Sequence, residues 1–237
     1  GGIIPTTIEN SQYIQESTLQ EIGVKMNLLD NRLYTAIAWY DQDKTYRDSQ
    51  TGALVAVYGD GLEFEMRALV NENLSILATA THTNTEEVSN GALAVINGAD
   101  FAAQNGLNPE DVYGGRIAGP RSAFVGMNTR MERGGLPDNI VSIYGTWAQE
   151  LGAGDVTGSL GLTWVDETYT DIMQTVMLPS YTVVNGSVSY AQGPFTGLLQ
   201  VNNLMDEEYY TSADLFDSVV VKPSAGRTFS LTLTYAF

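Results

Sequence analysis

The chain has 237 residues, a mean hydropathy of -0.08 and a formal charge of -17 from 28 acidic and 11 basic side chains. That charge excludes the basic footprint of a nucleic-acid binder. The absence of cysteine excludes disulfides and thiolate chemistry, and no run reaches the ~18 apolar residues of a membrane helix.

A membrane protein of such neutral hydropathy must cross with strands, where only every second residue is apolar. The leading Gly-Gly-Ile-Ile-Pro has neither a basic n-region nor a signal-like apolar core. From residue 17 the alternation begins. Ile22, Val24, Met26 and Leu28 oppose Glu21, Lys25 and Asn27. Residues 32–43 form a Tyr/Ala/Trp-rich run with a less regular alternation. Leu62, Phe64, Met66, Ala68 and Val70 oppose Glu63, Glu65 and Arg67, and Leu74, Ile76, Ala78 and Ala80 oppose Ser75, Thr79 and Thr81. Val141, Ile143 and Trp147 follow, then Val156, Leu160, Leu162 and Trp164, then Val184, Val188 and Tyr190, then Phe195, Leu199 and Val201, each set facing hydroxyls or amides. The last strand is the most regular. Phe229, Leu231, Leu233, Tyr235 and Phe237 alternate with Thr228, Ser230, Thr232 and Thr234. A period of two makes one face of each strand greasy and the other wet.

A soluble sandwich produces the same alternation, so the connections decide. Asp30-Asn31, Asn71-Glu72-Asn73, residues 150–154 and Gln192-Gly193-Pro194 are tight. Residues 44–59, 84–138, 169–179 and 205–225 are long, and short and long alternate throughout. Short periplasmic turns and long extracellular loops are the rule for outer-membrane barrels. The reading is an all-β, antiparallel transmembrane β-barrel segment of about nine strands. Its final strand runs from outside to periplasm, and residues 1–16 end another outer loop.

The residues then resemble the C-terminal part of a TonB-dependent outer-membrane receptor. Glu21-Ile22-Gly23-Val24-Lys25 is similar to the Glu-x-Gly-x-Lys strand of that family. Val201 to Tyr210, read Val-Asn-Asn-Leu-Met-Asp-Glu-Glu-Tyr-Tyr, resembles its Asn-Leu-x-Asp-x-x-Tyr-Tyr motif, and Gly226 to Phe237 resembles its ending, with a lean toward siderophore-type members. Gly61-x-Glu63-x-Glu65 is a weaker match. The resemblance implies a 22-stranded barrel around a plug, and residues 1–237 read as its C-terminal portion, with no plug domain or TonB box in the chain. Nine strands alone leave two edges that lipid does not tolerate. The chain therefore reads as a C-terminal fragment, or one half of a split or nicked receptor; an odd nine-stranded barrel would need a parallel closing pair. The resemblance further implies residence in the outer membrane of a Gram-negative bacterium, and uptake of a scarce ligand, foremost a ferric siderophore. The implied partners are the remaining N-terminal barrel and plug, the TonB complex acting through that plug, outer-membrane lipid and lipopolysaccharide. Receptors for cobalamin, haem or oligosaccharide share this wall. A passive porin-like channel and a soluble β-sandwich binding module are the rival classes.

Enzyme chemistry finds no support. His82 is the one histidine, and its parity puts it on the lipid or interface side near the outer rim, away from a haem-ligand position. No cofactor and no metal site are expected; the spacings of Asp206-Glu207-Glu208 and of Asp214 and Asp217 fit no metal loop. The ligand candidates lie in loops. Arg116, Arg121, Arg130 and Arg133 concentrate guanidinium groups in an acidic chain, in reach of carboxylate, catecholate or phosphate; the alternative is pairing with loop acids or lipopolysaccharide phosphate. Tyr113, Tyr144 and Tyr169 offer stacking faces, with Tyr144 pointing to the lumen. Tyr209 and Tyr210 read as an interface girdle. Glu63, Glu65 and Arg67 form a lumen ladder suited to contacting a plug. Asn108-Pro109-Glu110-Asp111 predicts the start of a short loop helix.

Overall fold

The computed structural model describes residues 16–47, 54–89, 92–94, 123–125, 130–170, 174, 177–212 and 221–237. Nine long strands carry the fold: β1 Glu16–Leu28, β2 Leu33–Arg47, β3 Leu54–Leu69, β4 Leu74–Ser89, β5 Asn139–Leu151, β6 Gly154–Val165, β7 Tyr181–Gln192, β8 Phe195–Asn202 and β9 Thr228–Tyr235. They pair antiparallel in sequence order, each with its chain neighbours, and a short strand Met131–Glu132 adds to β4. β1 and β9 stand at the two edges and do not pair with one another. The expected nine-stranded antiparallel meander is what forms.

The tight connections hold because their residues can turn without strain elsewhere. Leu29, Asp30 and Asn31 are all left-handed, at φ 53, 55 and 65, and Asp and Asn tolerate that region. In the next turn the Asn71 side-chain oxygen accepts from the amides of Asn73 and Leu74, both at 2.9 Å. The turns are also laced to one another. The Arg32 guanidinium donates to the carbonyls of Leu69 (3.2 Å) and Val70, and the Asn73 amide donates to the Ala148 carbonyl at 2.7 Å.

Register carries one face across the whole sheet. Ile22 lies opposite Trp39, Trp39 opposite Leu62, Leu62 opposite His82, and His82 opposite Asn139. One row lower, Val24, Ile37, Phe64, Ala80, Val141 and Trp164 share the same face. Leu162, Val184, Leu199 and Leu231 lie on it further along. Each strand thus presents an outward apolar stretch, and above it the outward residues turn polar: Asp41, Asp60, Asn84, Asn139 and Asp166. Phe195, Tyr235 and Phe237 pack as an aromatic group near the tight-turn rim, with ring centroids 4.7 and 5.1 Å apart.

No second layer covers this face among the described residues. Among the described residues the buried apolar side chains are Val55, whose parity on β3 is that of the polar face, and Leu178, which lies outside the nine strands, while Leu231 is 68% and Leu233 78% exposed. A contiguous apolar surface of this extent needs an apolar solvent. With the inner strands laddered to a neighbour on each side across the apolar band, the sheet meets the condition for lying in lipid.

Several strands are longer than the alternation predicts. β2 runs to Arg47 and β3 starts at Leu54, so the connection expected over 44–59 contracts to 48–53. β4 continues to Ser89, into the connection expected over 84–138. Above the apolar band both faces are wet, so the period of two vanishes while backbone pairing continues. The connections over 169–179 and 205–225 also carry small antiparallel pairs, Thr168–Tyr169 with Met177–Leu178 and Tyr210–Ser212 with Val221–Pro223.

Face assignment gives a direct prediction. Leu231→Arg is expected to destabilise the membrane-inserted barrel by about 2–4 kcal/mol, and Thr232→Arg by well under half of that. Urea titration of the intact receptor in lipid vesicles measures both, and equal costs would refute the assignment.

Candidate functional site

The polar face carries two kinds of wall. On β3, Glu63, Glu65 and Arg67 line one side, and the Arg67 guanidinium donates to Glu65 at 2.6 Å. Tyr34 sits opposite Arg67 and joins it in a cation–π contact at 5.9 Å. Further round, hydroxyls bond across strands: Ser142 with Thr163 at 3.1 Å and Ser159 with Ser187 at 2.7 Å. Asn202 donates to Thr228 at 3.3 Å. Such cross-strand pairs tie neighbouring strands together.

Tyr144 lies on this face, as its parity requires, and with its ring laid flat over Gly161 on the facing strand. A Cβ on Gly161 would overlap the Tyr144 ring. Its hydroxyl reaches Thr163 at 3.3 Å. Tyr40 treats Gly61 the same way and donates to Thr83 at 2.9 Å. A glycine facing a tyrosine across a strand pair is a packing device. One ring face of Tyr144 is therefore committed to the wall, and the other looks into the lumen. Tyr144, Arg67, Tyr34, Arg32, Leu77 and Thr146 line a shared recess of about 530 Å³.

Two of the four arginines lie among the described residues, and both reach the acids of β4. Arg130 stacks over Tyr58 at 3.9 Å and meets Glu86 at 3.4 Å; Arg133 meets Glu87 at 3.8 Å. These exposed pairs are worth little individually, but they pin the Met131–Glu132 strand to β4. Burial and the charge of Asp138 hold the Glu132 carboxyl above the ordinary carboxylate range, opposed by the Gln174 amide donating at 2.8 Å. Tyr113, Arg116, Arg121, the Asn108–Asp111 segment, Asp214 and Asp217 lie outside the described residues. Tyr169 pairs in register with Met177 at a loop base. His82 is on the outward face at the top of the apolar band, held by Asn139 at 2.9 Å, and Asn139 in turn donates to Asp166 at 2.6 Å.

The Asn-Leu-Met-Asp-Glu-Glu-Tyr-Tyr stretch is a clamp on the last loop. Asn203 is only 4% exposed and left-handed, φ 53. Its side chain accepts from the Glu207 amide at 2.8 Å and donates to the Glu207 carbonyl at 2.9 Å and the Ala225 carbonyl at 3.4 Å. Its own amide donates to the Asn185 side chain at 2.9 Å. Asp206 accepts from the Arg227 amide at 2.7 Å, and the Arg227 side chain donates to the Leu204 carbonyl at 3.2 Å. Tyr209 stacks on Tyr181 at 4.1 Å. Tyr181 has polar-face parity, so this stack belongs to the lumen side of the mouth and not to a lipid-facing girdle. The anchors are Asn203 and Asp206, whose signal was a pair of turn-prone residues at the end of a regular strand.

A family model for the TonB dependent receptor-like β-barrel matches residues 14–204 of this chain. The chain belongs to that family. Its sheet is a segment of an outer-membrane barrel wall of Gram-negative type, and the tight turns mark its periplasmic rim. The chain is 23% identical over 237 residues to the probable TonB-dependent siderophore receptor PiuA of Acinetobacter baumannii, taking in 96% of this chain and 28% of that protein. It overlays the crystal structure of the siderophore receptor PiuA from that organism with a TM-score of 0.68 at 19% identity, over 97% of this chain and 30% of that one. The ferric yersiniabactin uptake receptor FyuA from Yersinia pestis gives a TM-score of 0.67 at 15% identity, over 94% and 30%. These likenesses establish the fold. The chain spans under a third of the length of the relatives it matches.

Asn203→Ala is expected to leave the carbonyls of Glu207 and Ala225 and the Glu207 amide without their partner, loosening the loop base by about 2–3 kcal/mol. Limited proteolysis of the intact receptor reads this as faster cleavage between residues 207 and 225, with cleavage elsewhere unchanged.

Proposed function

We propose that this chain forms part of the barrel wall of a receptor that imports a ferric siderophore across the outer membrane, driven by the TonB complex through a plug. The observation that carries the reading is the pairing of a lipid-facing apolar band with a polar lumen face in a chain of this family. The siderophore receptor named among its relatives supports the choice of ligand. Transport, not catalysis, is the activity. Among the described residues nothing pairs with the outer edges of β1 and β9, and in lipid those groups must be met by further strands. The remaining barrel supplies them, and its lumen holds the plug. The long loops of the outer rim close on the ligand.

In this scheme Arg116 and Arg121 meet the anionic chelate, helped by the low positive charge elsewhere. Arg130 and Arg133, engaged by Glu86 and Glu87, hold the loop base. Tyr113, Tyr144 and Tyr169 contribute stacking surface. Glu63, Glu65 and Arg67 face the plug.

Deletion of the receptor should abolish accumulation of radioactive iron from a ferric siderophore by iron-starved cells, and dissipating the proton gradient should do the same. Accumulation that persists without the gradient would favour a passive channel. In the intact receptor Arg116→Ala with Arg121→Ala is expected to weaken chelate binding by at least ~1 kcal/mol. Arg130→Ala with Arg133→Ala is expected to change affinity by less, and fluorescence-quenching titration with the ferric chelate separates the two.

A further inference from the structure

The register sorts the lumen face by charge. On β1 to β3 that face carries Glu21, Lys25, Glu63, Glu65 and Arg67, placed together by the pairs Glu21 with Tyr40, Lys25 with Ala36 and Glu65 with Ala36. Between the rims, β4 to β9 turn no charged side chain inward. Their inward residues run through Thr79 and Thr81, Ser142 and Thr163, Ser159 and Ser187, Gln200 and Ser230, and Thr232 and Thr234. This is a sorting of the wall and not a scarcity of charge, since the same six strands carry Glu86, Glu87, Glu150 and Asp155 at the rims.

The two halves also differ in what they leave unmet. Glu21, Lys25 and Glu63 are exposed and have no ion-pair partner among the described residues. Part of the hydroxyl half bonds within itself. Ser142 and Thr163, Ser159 and Ser187, Asn202 and Thr228, and Ser230 and Gln200 bond to one another within the wall. Charged groups without partners in a narrow lumen gain from complementary charges on whatever fills it, and those bonds are stronger and more geometrically specific than neutral ones. A wall of neutral hydroxyls, several of them already paired, offers a facing surface no fixed charge and fewer strong bonds to break in order to slide.

We propose that the plug is gripped on the β1–β3 side and that the passage opened during import runs along the neutral β5–β9 side. The partner of the charged half is a plug surface with carboxylates opposite Lys25 and Arg67 and cationic groups opposite Glu21 and Glu63. The neutral half meets the moving ligand, and an oxygen-rich anionic chelate crosses it without a fixed charge to trap it. This inference rests on the receptor reading above.

This chain has no cysteine, so single thiols can be placed in its wall once any cysteines in the rest of the receptor are replaced by Ser. Ala36 and Ala38 face the lumen beside Glu65 and Glu63, and Ser187 and Thr232 face it at the middle of their strands. Each position is replaced by Cys in the intact receptor in its own outer membrane, and labelling by fluorescein maleimide is followed, normalised to the rate in denaturant. In the resting receptor, Ser187→Cys and Thr232→Cys are expected to label several-fold faster than Ala36→Cys and Ala38→Cys. Adding Glu63→Gln and Arg67→Gln is expected to raise labelling at Ala36→Cys toward that of the other half. Equal rates on both halves, or faster labelling beside the charges, would overturn the proposal. The probe needs neither ligand nor import, so a receptor that fails to import iron yet keeps the asymmetry contradicts only the functional reading. A receptor that imports iron with uniform labelling contradicts only the placement of grip and passage.

Discussion

In hydrocarbon every backbone amide and carbonyl has to find a partner within the protein, because no water is present to serve as one. That requirement organises this chain. It forces each strand to pair with its chain neighbour, gives the meander its sequential order and makes the tight turns necessary. Once strands are paired, a period of two leaves only two faces to distribute. The sequence sends Ile22, Val24, Ile37, Phe64, Leu162 and Leu231 to one and Glu63, Ser142, Ser187 and Thr232 to the other. Burial contributes little among the described residues, since almost nothing apolar there is covered by protein. Cohesion lies in the ladders and in the surrounding lipid.

The rims show a second layer of organisation. At the periplasmic side, Arg32 and Asn73 bond to backbone carbonyls of neighbouring hairpins, so adjacent turns are fixed to one another. At the outer side the corresponding work falls to Asn203 and Asp206, which hold the last loop at both of its ends, and to Arg130 and Arg133, which secure the strand after the longest loop. Loops that recognise ligands need stable bases from which to move. Polar side chains supply that here because this rim lies outside the lipid.

Most of the transmembrane architecture was legible from residue patterning. Where one face meets lipid, each outward position must be apolar, and the last strand displays that rule without exception. β2 was harder to read because Ala36 and Ala38 are small and apolar on the lumen side, which blurs the contrast. The ends of β2, β3 and β4 were illegible for a different reason: above the band, Asp41, Asp43, Asp60 and Glu86 stand outward among other polar residues, so alternation carries no information while pairing continues. Parity placed Tyr144, Glu63, Glu65 and Arg67 correctly on the lumen face. It gave no hint that Tyr144 lies down on Gly161, since that depends on which glycine the register brings opposite. The role of Asn203 was hidden because a clamp joins residues 22 positions apart through backbone atoms that any sequence possesses.

The central claim is that one face of this sheet lies against lipid. All three tryptophans of the chain, Trp39, Trp147 and Trp164, fall on that face by register. The measurement that tests it most directly is quenching of their fluorescence by brominated lipids, in the intact receptor with tryptophans elsewhere replaced by Phe. Strong quenching of all three, greatest for bromines near the ends of the acyl chains closest to the headgroups, is the predicted result. Emission unaffected by brominated lipid and quenched instead by aqueous iodide would contradict it.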